Sequence, residues 1–381
     1  MKKVLYIANF LYREDSGATS VARTHLCVLE KGYGEKNVFA IALVGVTKPT
    51  YKLRKERFEI CSVENNVIKR GFNLIRGNTG KINSEIIRYI GNYIENNSIQ
   101  IVFWDDSIYG LAIKNIKQKF PNVHFAAYYH DVKRNLCIEW IKKRIIDTPK
   151  YIPLLINEKY TAKFADTNIV LNKREADLYK KYYKKEADIL LPVILPNQNN
   201  FNFMKKMDRP LRILFVGGYY YPNVNGIDWF IKNVLSRTDQ LCNLTIVGNQ
   251  MDKLINVYKD VKNVVAHGRV EDLTPYYVEA DVVVGPIFEG AGMKVKTAEA
   301  FSFGKLFVGT DESLEGYKEY LTDELLNKFI FVANNEMDFI SAIFQIINSD
   351  NVKKSNKAVL EFFEKHYSIQ AAADLLVKKL V

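Results

Sequence analysis

The sequence predicts an α/β protein of two domains, each built around a mostly parallel sheet. Short apolar segments typical of buried strands alternate with helical segments along most of the chain. This alternation breaks at residues 192–210 and then restarts with the same order of strand, glycines and helix. The length of 381 residues agrees with two domains, since one domain takes roughly 150 residues.

The first half opens with a strand at 4–10, a loop at 15–20 that contains Gly17, and a helix at 21–31. This is the order of the first βαβ unit of a Rossmann-like domain, in which N–H groups at the start of the helix can bind a phosphate. Further strands and helices of this half are predicted at 38–44, 83–95, 100–104, 108–119, 123–129 and 168–171. Such an alternation implies a parallel sheet that helices cover on both faces.

Residues 192–210 are rich in Pro, Asn and cations, which is typical of an interdomain linker. A second Rossmann-like domain follows, with elements predicted at 211–218, 227–235, 244–248, 263–266, 271–280, 281–286, 294–303, 306–309, 338–348 and 369–380. The predicted first domain spans 1–195, the linker 196–210 and the second domain 211–365. A last helix, 366–381, is predicted to pack back on the first domain. Ligands of such sheets bind at the carboxyl ends of the strands. We therefore expect two domains that face each other across a cleft and close on a ligand, with the linker and the last helix as hinge.

Composition excludes several classes of protein. The four cysteines are scattered and include no CxxC pair, so neither a disulfide framework nor a zinc site is expected. No apolar run reaches the roughly 18–20 residues of a membrane-spanning helix. The apolar start of the chain is interrupted by Asn9 and followed by charged residues, which favours a first strand over a signal peptide. We therefore expect a cytoplasmic protein.

The basic charge is concentrated in the first half of the chain. Residues 1–200 hold 33 of the 54 Lys and Arg and 20 of the 43 Asp and Glu, a net charge of +13, against −2 for the rest. This excess indicates an anionic partner. No helix-turn-helix, zinc-finger or RNP-like pattern supports nucleic acid, which leaves anionic lipid or a diphosphate-linked substrate. The cations at 142–144 are interpreted as a solvated helix face.

Residues 66–76 mix apolar and cationic side chains, among them Lys69, Arg70, Phe72 and Arg76. Such a segment can place its apolar side chains at the acyl boundary of a membrane while its cations bind lipid phosphates. The alternative is a surface loop with a few core contacts. The membrane interpretation predicts peripheral attachment to the inner face of the cell membrane.

The segment 281–317 contains the most informative pattern. A buried strand ends at Pro286, and the glycine loop 290–292 leads directly into a helix predicted to start near Met293. Free N–H groups and the helix dipole make an anion site there. Lys294 is unfavourable at a helix start unless an anion lies beside it, which suggests that it binds a diphosphate. Glu299, further along the helix, could accept hydrogen bonds from two ribose hydroxyls, the alternative being a structural carboxylate.

The chain resembles family 4 retaining glycosyltransferases of the GT-B architecture. The segments that carry the resemblance are the Gly17 loop, 128–132, 165–178, 195–197, 215–230, 267–286, 290–300 and 309–317. The resemblance implies two Rossmann-like domains facing across a cleft and a hexosyltransferase-type reaction. The donor would be a UDP- or GDP-sugar, with no metal or other cofactor required. The acceptor would be a glycan, in a lipid-linked form, in cell-surface polysaccharide synthesis.

The glutamates depart from the family pattern. The family often has two glutamates with seven residues between them, whereas Glu289 and Glu299 have nine between them. The position eight residues before Glu299 is Ala291. Whether Glu289 makes the contact with the donor sugar that the family's first glutamate makes therefore stays open.

The cations depart from the pattern as well. The family often has an Arg and a Lys after the first strand of the second domain, which bind the donor phosphates. The corresponding positions here are Gly218 and, approximately, Asn225. Lys294 would then take over the diphosphate contact, with Arg269 as a candidate helper.

The resemblance and the glycine loop together define a predicted site. The predicted donor-binding residues are Gly17, Gly218, Asn223, Arg269, Gly290, Ala291, Gly292, Met293, Lys294 and Glu299. The predicted catalytic residues are His130, Lys294 and Glu289. The resemblance places His130, which follows a strand, near the transferred sugar. The pair Asp105 and Asp106 lacks the spacing of a metal-binding DxD motif and is interpreted as an acceptor contact or a helix cap.

The mechanism implied by the resemblance is transfer with retention of the anomeric configuration. Negative charge grows on the leaving phosphate, where the helix start and Lys294 would stabilise it. The acceptor hydroxyl would attack from the face that the phosphate leaves. Two alternatives remain, a non-catalytic sugar-nucleotide-binding subunit of a polysaccharide assembly complex and a sugar-nucleotide epimerase of the same fold. Release of free UDP or GDP during incubation with the donor would distinguish an active transferase from a non-catalytic subunit.

Overall fold

The computed structural model describes residues 1–9, 11, 17–44, 58–62, 77–79, 82–198, 210–238, 240–290, 292–349 and 352–380. The predicted membrane segment 66–76, most of the predicted linker and Ala291 lie outside the described residues. The chain divides into two compact units, Met1–Ile194 with Ile369–Val381 and Leu195–Ser368.

The first unit contains a parallel sheet of seven strands. Its strands are β1 (Val4–Ala8), β2 (Val38–Val44), β3 (Phe58–Ser62), β4 (Ile101–Trp104), β5 (His124–Tyr129), β6 (Thr167–Val170) and β7 (Ile189–Leu190). Its helices are α1 (Gly17–Tyr33), α2 (Ser84–Asn97), α3 (Gly110–Lys119), α4 (Lys133–Lys143), α5 (Thr148–Phe164) and α6 (Lys173–Tyr183). The strand order is β3-β2-β1-β4-β5-β6-β7. The central strands β1 and β4 are buried along their whole length, as strands covered on both faces must be.

The second unit contains a parallel sheet of six strands. Its strands are β8 (Leu211–Val216), β9 (Cys242–Val247), β10 (Val264–His267), β11 (Val282–Gly285), β12 (Leu306–Gly309) and β13 (Ile330–Val332). Its helices are α7 (Tyr221–Asn233), α8 (Thr274–Glu279), α9 (Val295–Ser302), α10 (Asp323–Lys328), α11 (Glu336–Asn348) and α12 (Val352–Tyr367). The strand order is β10-β9-β8-β11-β12-β13.

The last helix, α13 (Ile369–Lys379), belongs to the first unit. It packs on α1, where the hydroxyl of Tyr33 donates to the carbonyl of Leu376 at 3.4 Å. Contact is so close that a Cβ on Gly32 would lie 2.8 Å from the side chain of Val377. The chain thus passes between the units twice, near Leu195 and Ser368, which form a parallel β-bridge. A hinge at these two crossings stays a prediction.

Both sheets have the doubly wound Rossmann order, in which the sequence of strands reverses beside the first strand. The predicted α/β fold class with two Rossmann-like sheets is confirmed. The edge strands β3, β7 and β13 were not predicted, and the helix expected near Met293 begins two residues later, at Val295. In the second unit the reversal lies between β8 and β11, so their carboxyl ends mark the crevice where ligands of this fold bind.

Candidate functional site

The crevice of the second unit is lined by the turn after β8 and by the start of α9. Two glycines, Gly217 and Gly218, follow β8 directly. A Cβ on Gly217 would lie 3.0 Å from both the Asn223 amide nitrogen and the Lys296 ammonium, so a side chain there would press on both groups. A Cβ on Gly226 would overlap the carbonyl oxygen of Pro286, which shows how tightly α7 packs on the end of β11. The crevice floor is therefore backbone that a ligand can approach closely.

Lys294 lies immediately before α9, at its N-cap position, with no side-chain cap. Its ammonium forms an ion pair with Glu312 at 2.7 Å and donates to the carbonyl of Gly292 at 3.0 Å. The hydroxyl of Tyr317 donates to the backbone carbonyl of Lys294 at 2.9 Å. The lysine predicted to bind the diphosphate is thus held by a carboxylate of its own unit.

Lys296, two residues further on, was not among the predicted site residues. Its ammonium donates to the amide oxygen of Asn223 at 2.6 Å and lies 4.5 Å from the centroid of the Phe215 ring. The amide nitrogen of Asn223 donates in turn to the carbonyl of Gly218 at 2.9 Å. Lys296 therefore brings a cation to the glycine turn after β8, where the chain has no Arg or Lys of its own.

Glu299 lies on α9, one turn beyond Lys296. Its carboxylate accepts a hydrogen bond from the hydroxyl of Tyr277 at 2.9 Å, and the Tyr277 ring stacks on Phe303 at 4.6 Å. Burial raises the pKa of Glu299, while the Tyr277 hydrogen bond and the charge of Lys296 act in the opposite direction. The carboxylate is held in one orientation with one oxygen free of this bond, as a ribose contact requires.

The other predicted residues of the second unit are placed less closely. Glu289 is exposed, and no hydrogen bond joins its side chain to any residue that the structure describes. Arg269 is exposed after β10. Gly290 and Gly292 both have positive φ, and a Cβ on Gly290 would meet the Lys294 side chain at 3.2 Å. Gly290 thus lies against Lys294, whereas no hydrogen bond or ion pair among the described residues ties Glu289 or Arg269 to this loop.

The first unit has a separate polar cluster at the carboxyl ends of β4 and β5. Asp105 is buried and accepts hydrogen bonds from Tyr6 and from His25 Nδ1, both at 2.8 Å. His130 Nε2 lies 3.1 Å from the Asp105 carbonyl oxygen and 3.4 Å from its carboxylate. The His25 and His130 rings are stacked 6.2 Å apart. The sequence contains no signal for His25, because an isolated histidine on an amphipathic helix is more often structural.

Charge within this cluster shifts two titrations. Burial alone would raise the pKa of Asp105, but the neighbouring imidazoles of His130 and His25 outweigh it and hold that pKa well below its usual range. Burial would lower the pKa of His130, but the Asp105 carboxylate outweighs it and raises that pKa. His130 keeps 21% of its side chain exposed, so it is the member of the cluster that a ligand could contact.

The neighbouring aspartate has a different environment. Asp106 accepts from the Asn9 amide at 3.1 Å, and the hydroxyl of Tyr109 donates to Asn9 at 2.5 Å. The prediction of a helix cap is wrong for its side chain, since Asp106 precedes a short 3-10 helix, Ser107–Tyr109, without capping it. No group of three or more His, Cys, Asp and Glu side chains suited to a metal ion occurs within the described part of the chain.

The predicted site residues fall in both units. Gly218, Asn223, Gly290, Gly292, Met293, Lys294 and Glu299 belong to the second unit and gather around the carboxyl ends of β8 and β11. His130 and Gly17, the first residue of α1, belong to the first unit. Of Ala291 nothing is described.

One family model matches the second unit. Residues 210–349 match the family model of glycosyl transferases group 1. The match confirms the predicted resemblance to glycosyltransferases and the predicted enzyme class, whereas family 4 and retention of configuration stay predictions. It covers the glycine turn, Lys294, Lys296 and Glu299.

Solved structures of similar fold cover the whole chain. The lipopolysaccharide outer core galactosyltransferase WaaB has a TM-score of 0.69 at 13% identity, over 99% of each chain. HepE from Anabaena, in complex with UDP, has a TM-score of 0.68 at 11% identity, over 99% of each chain. An uncharacterized 44.6 kDa protein in the cps region of Klebsiella pneumoniae is 23% identical over 270 residues. That match spans 68% of this chain and 65% of the Klebsiella protein.

Proposed function

We propose that this chain transfers a sugar from a nucleoside diphosphate sugar to a hydroxyl of a glycan during polysaccharide synthesis. The observation that carries the proposal is the crevice at the ends of β8 and β11. A glycine turn, two lysines and a held carboxylate meet there, in a domain of the glycosyltransferase class. Lysines suit a diphosphate, and a carboxylate suits the diol of a ribose.

The relatives support this choice of substrates. HepE was solved with UDP and also with UDP-glucose. WaaB is a galactosyltransferase of the lipopolysaccharide outer core, and the Klebsiella protein comes from a cps region. We infer that the donor is a nucleotide sugar, with a UDP-sugar preferred over a GDP-sugar. The inferred acceptor is a cell-surface glycan in a lipid-linked form.

The proposed reaction retains the anomeric configuration. As the bond from sugar to phosphate breaks, charge develops on the leaving phosphate, and the α9 start with its lysines stabilises it. The acceptor hydroxyl attacks from the same face and gives its proton to the leaving phosphate. His130, with its raised pKa, acts at the sugar as a hydrogen-bond donor.

Turnover of donor tests the proposed activity. Incubation with UDP-glucose, UDP-galactose and GDP-mannose, with and without a lipid extract, should release the free nucleoside diphosphate from one donor series only. UDP or GDP should also raise the melting temperature, because a ligand at 100 times its Kd adds about 2.7 kcal/mol. Binding without release under all conditions would favour the non-catalytic subunit, and neither binding nor release would refute the proposal.

Peripheral attachment to an anionic membrane is a second part of the proposal. The turn between α4 and α5 exposes Ile145 by 76% and Ile146 by 79%, and Trp140, Ile152 and Ile156 are exposed beside it. The Trp140 ring lies 5.4 Å from that of Tyr151, which links the end of α4 to α5. Among the described residues, no helix is both long and apolar enough to cross a bilayer. Apolar side chains protruding between cations suit the surface of a membrane.

The turn lies beside residues 142–144, whose interpretation as a solvated helix face agrees with the exposure of Lys142 and Arg144. These two cations also precede the two most exposed isoleucines among the residues that the structure describes, Ile145 and Ile146. We name the set Trp140, Ile145, Ile146, Ile152 and Ile156 the isoleucine patch. The patch and segment 66–76 are the two candidate membrane contacts, and the assay below separates them.

The double variant Ile145→Ser and Ile146→Ser should lose most binding to vesicles that contain anionic lipid, because each buried apolar side chain contributes on the order of 1–2 kcal/mol. Cosedimentation with vesicles of 30% phosphatidylglycerol at low and high salt would measure this. Ile255→Ser, at another exposed isoleucine, is the matched control. Replacing Lys69, Arg70 and Arg76 by Glu tests the other segment. Wild-type protein that ignores anionic vesicles at low salt would contradict the membrane proposal.

A further inference from the structure

Lys296 differs from Lys294 in having no carboxylate partner. Its side chain is partly buried, and its contacts are a neutral amide and an aromatic ring. Across the residues that the structure describes, no Asp or Glu oxygen lies within 4.0 Å of its ammonium. Lys294, by contrast, is paired with Glu312 at 2.7 Å.

Withdrawing an ammonium from water without a counter-ion is unfavourable. Such an arrangement becomes favourable when an anion occupies the place beside it. The space beside Lys296 is the glycine turn, where Gly217 has no side chain and the nearest atoms to a Cβ on Gly218 would be 3.7 Å away. An anion bound there would contact both the turn and the ammonium.

We propose that Lys296, rather than Lys294, makes the principal ionic contact with the donor diphosphate, and that donor binding is coupled to uptake of one proton by its amine. This inference rests on the proposed function for its ligand. The proposal explains why no Arg or Lys follows β8. The positive charge for the diphosphate comes from Lys296 on α9 instead.

Proton uptake follows from the surroundings of the amine. Burial, and secondly the charge of Lys294, lower the pKa of Lys296 to about 7, while the charge of Glu299 acts in the opposite direction. The Tyr277 hydroxyl, which donates a hydrogen bond to Glu299, is neutral and adds no charge near the amine. A dianionic diphosphate would raise the pKa of Lys296, so the neutral fraction of the amine takes a proton from the solvent on binding. No other bond is made or broken.

Titration calorimetry of the whole chain with UDP and with GDP at pH 8.0 measures the proton directly, in two buffers of different ionisation enthalpy. At this pH the terminal phosphate of the probe is fully ionised, since the second pKa of such phosphates is about 6. With an amine pKa of about 7, wild-type protein should take up about 0.9 proton for each nucleotide bound. The affinity should fall roughly 50-fold between pH 7 and pH 9.

Lys296→Met should abolish proton uptake and weaken binding at pH 7 by tenfold to about a hundredfold, the loss of one charge-assisted contact. Lys294→Met should weaken binding less and retain uptake, in a smaller amount because the neighbouring charge is gone. Lys232→Met, an exposed lysine of α7, is the control and should change neither quantity. If the role of Lys296 were merely structural, Lys296→Met would have a lower melting temperature but would still take up a proton when nucleotide binds.

The outcomes separate the two proposals. Wild-type binding of nucleotide with no proton uptake, or with equal uptake in Lys296→Met, would overturn the inference and leave the proposed donor site standing. Failure of wild-type protein to bind either nucleotide would count against the proposed function itself.

Discussion

Replacing Asp105 by Asn is expected to lower turnover by a factor of a hundred or more. The amide can still accept from Tyr6 or His25, so the fold should persist, but the charge that raises the pKa of His130 is lost. The charge-assisted hydrogen bond that we propose His130 donates to the sugar is then weakened, and loss of one such preorganised donor typically costs 10²- to 10³-fold. Initial rates from pH 5 to pH 9 would show the active limb of the variant moved to lower pH. An unchanged pH profile would exclude Asp105 as the residue that positions His130.

The same pair makes a prediction for stability. The pKa of Asp105 is lowered by folding, so its contribution is present above its unfolded value near 4 and is lost as the pH falls through the folded value. The pKa of His130 is raised, so its contribution is present below about 6.5 and is lost as the pH rises through the folded value. Wild-type protein should therefore gain most from the pair between these two limits, and the difference in melting temperature between wild type and Asp105→Asn should shrink as the pH rises through the folded pKa of His130. His130→Gln, which removes one partner only, is the control.

Glu299→Gln is the second change with a large expected effect. The amide oxygen can still accept from Tyr277, so the buried hydroxyl stays satisfied, but the charge that would bind a ribose diol is removed. Loss of one or two charge-assisted hydrogen bonds, about 1.5–3 kcal/mol each, should reduce kcat/KM by tenfold to more than a thousandfold. Glu299→Ala should lose comparable activity and also stability, because it leaves the Tyr277 hydroxyl without its partner.

Two controls accompany Glu299→Gln. Tyr277→Phe removes the hydrogen bond and keeps the carboxylate, so it should retain most activity if the carboxylate itself contacts the donor. Lys294→Ala should reduce transfer while leaving the fold intact, although it also frees Glu312 from its ion pair. Near-wild-type kcat/KM in both Glu299→Gln and Lys294→Ala would refute the assignment of the crevice as the donor site.

The alternation of apolar strands and helices was enough to predict the two sheets, because each central strand is covered on both faces and must be apolar throughout. The edge strands β3, β7 and β13 were not predicted, since an edge strand is short and its pattern depends on a neighbour. The glycine loop and Glu299 could likewise be predicted from one short segment of sequence. A loop that leads from a strand into a helix start forms an anion site from neighbouring residues alone.

The tertiary structure decided which side chains act together. The local sequence does not distinguish the roles of Lys294 and Lys296. In the structure Lys294 pairs with Glu312, 18 residues away, and Lys296 donates to Asn223, 73 residues away. His25 and Asp105 are 80 residues apart and meet only because β4 pairs with β1 beside α1. Exposure of Ile145 and Ile146 likewise depends on how α4 and α5 pack. Local patterns determine where strands, helices and loops lie, but the partner of a charge comes from distant segments that only the packed sheets bring within hydrogen-bonding distance.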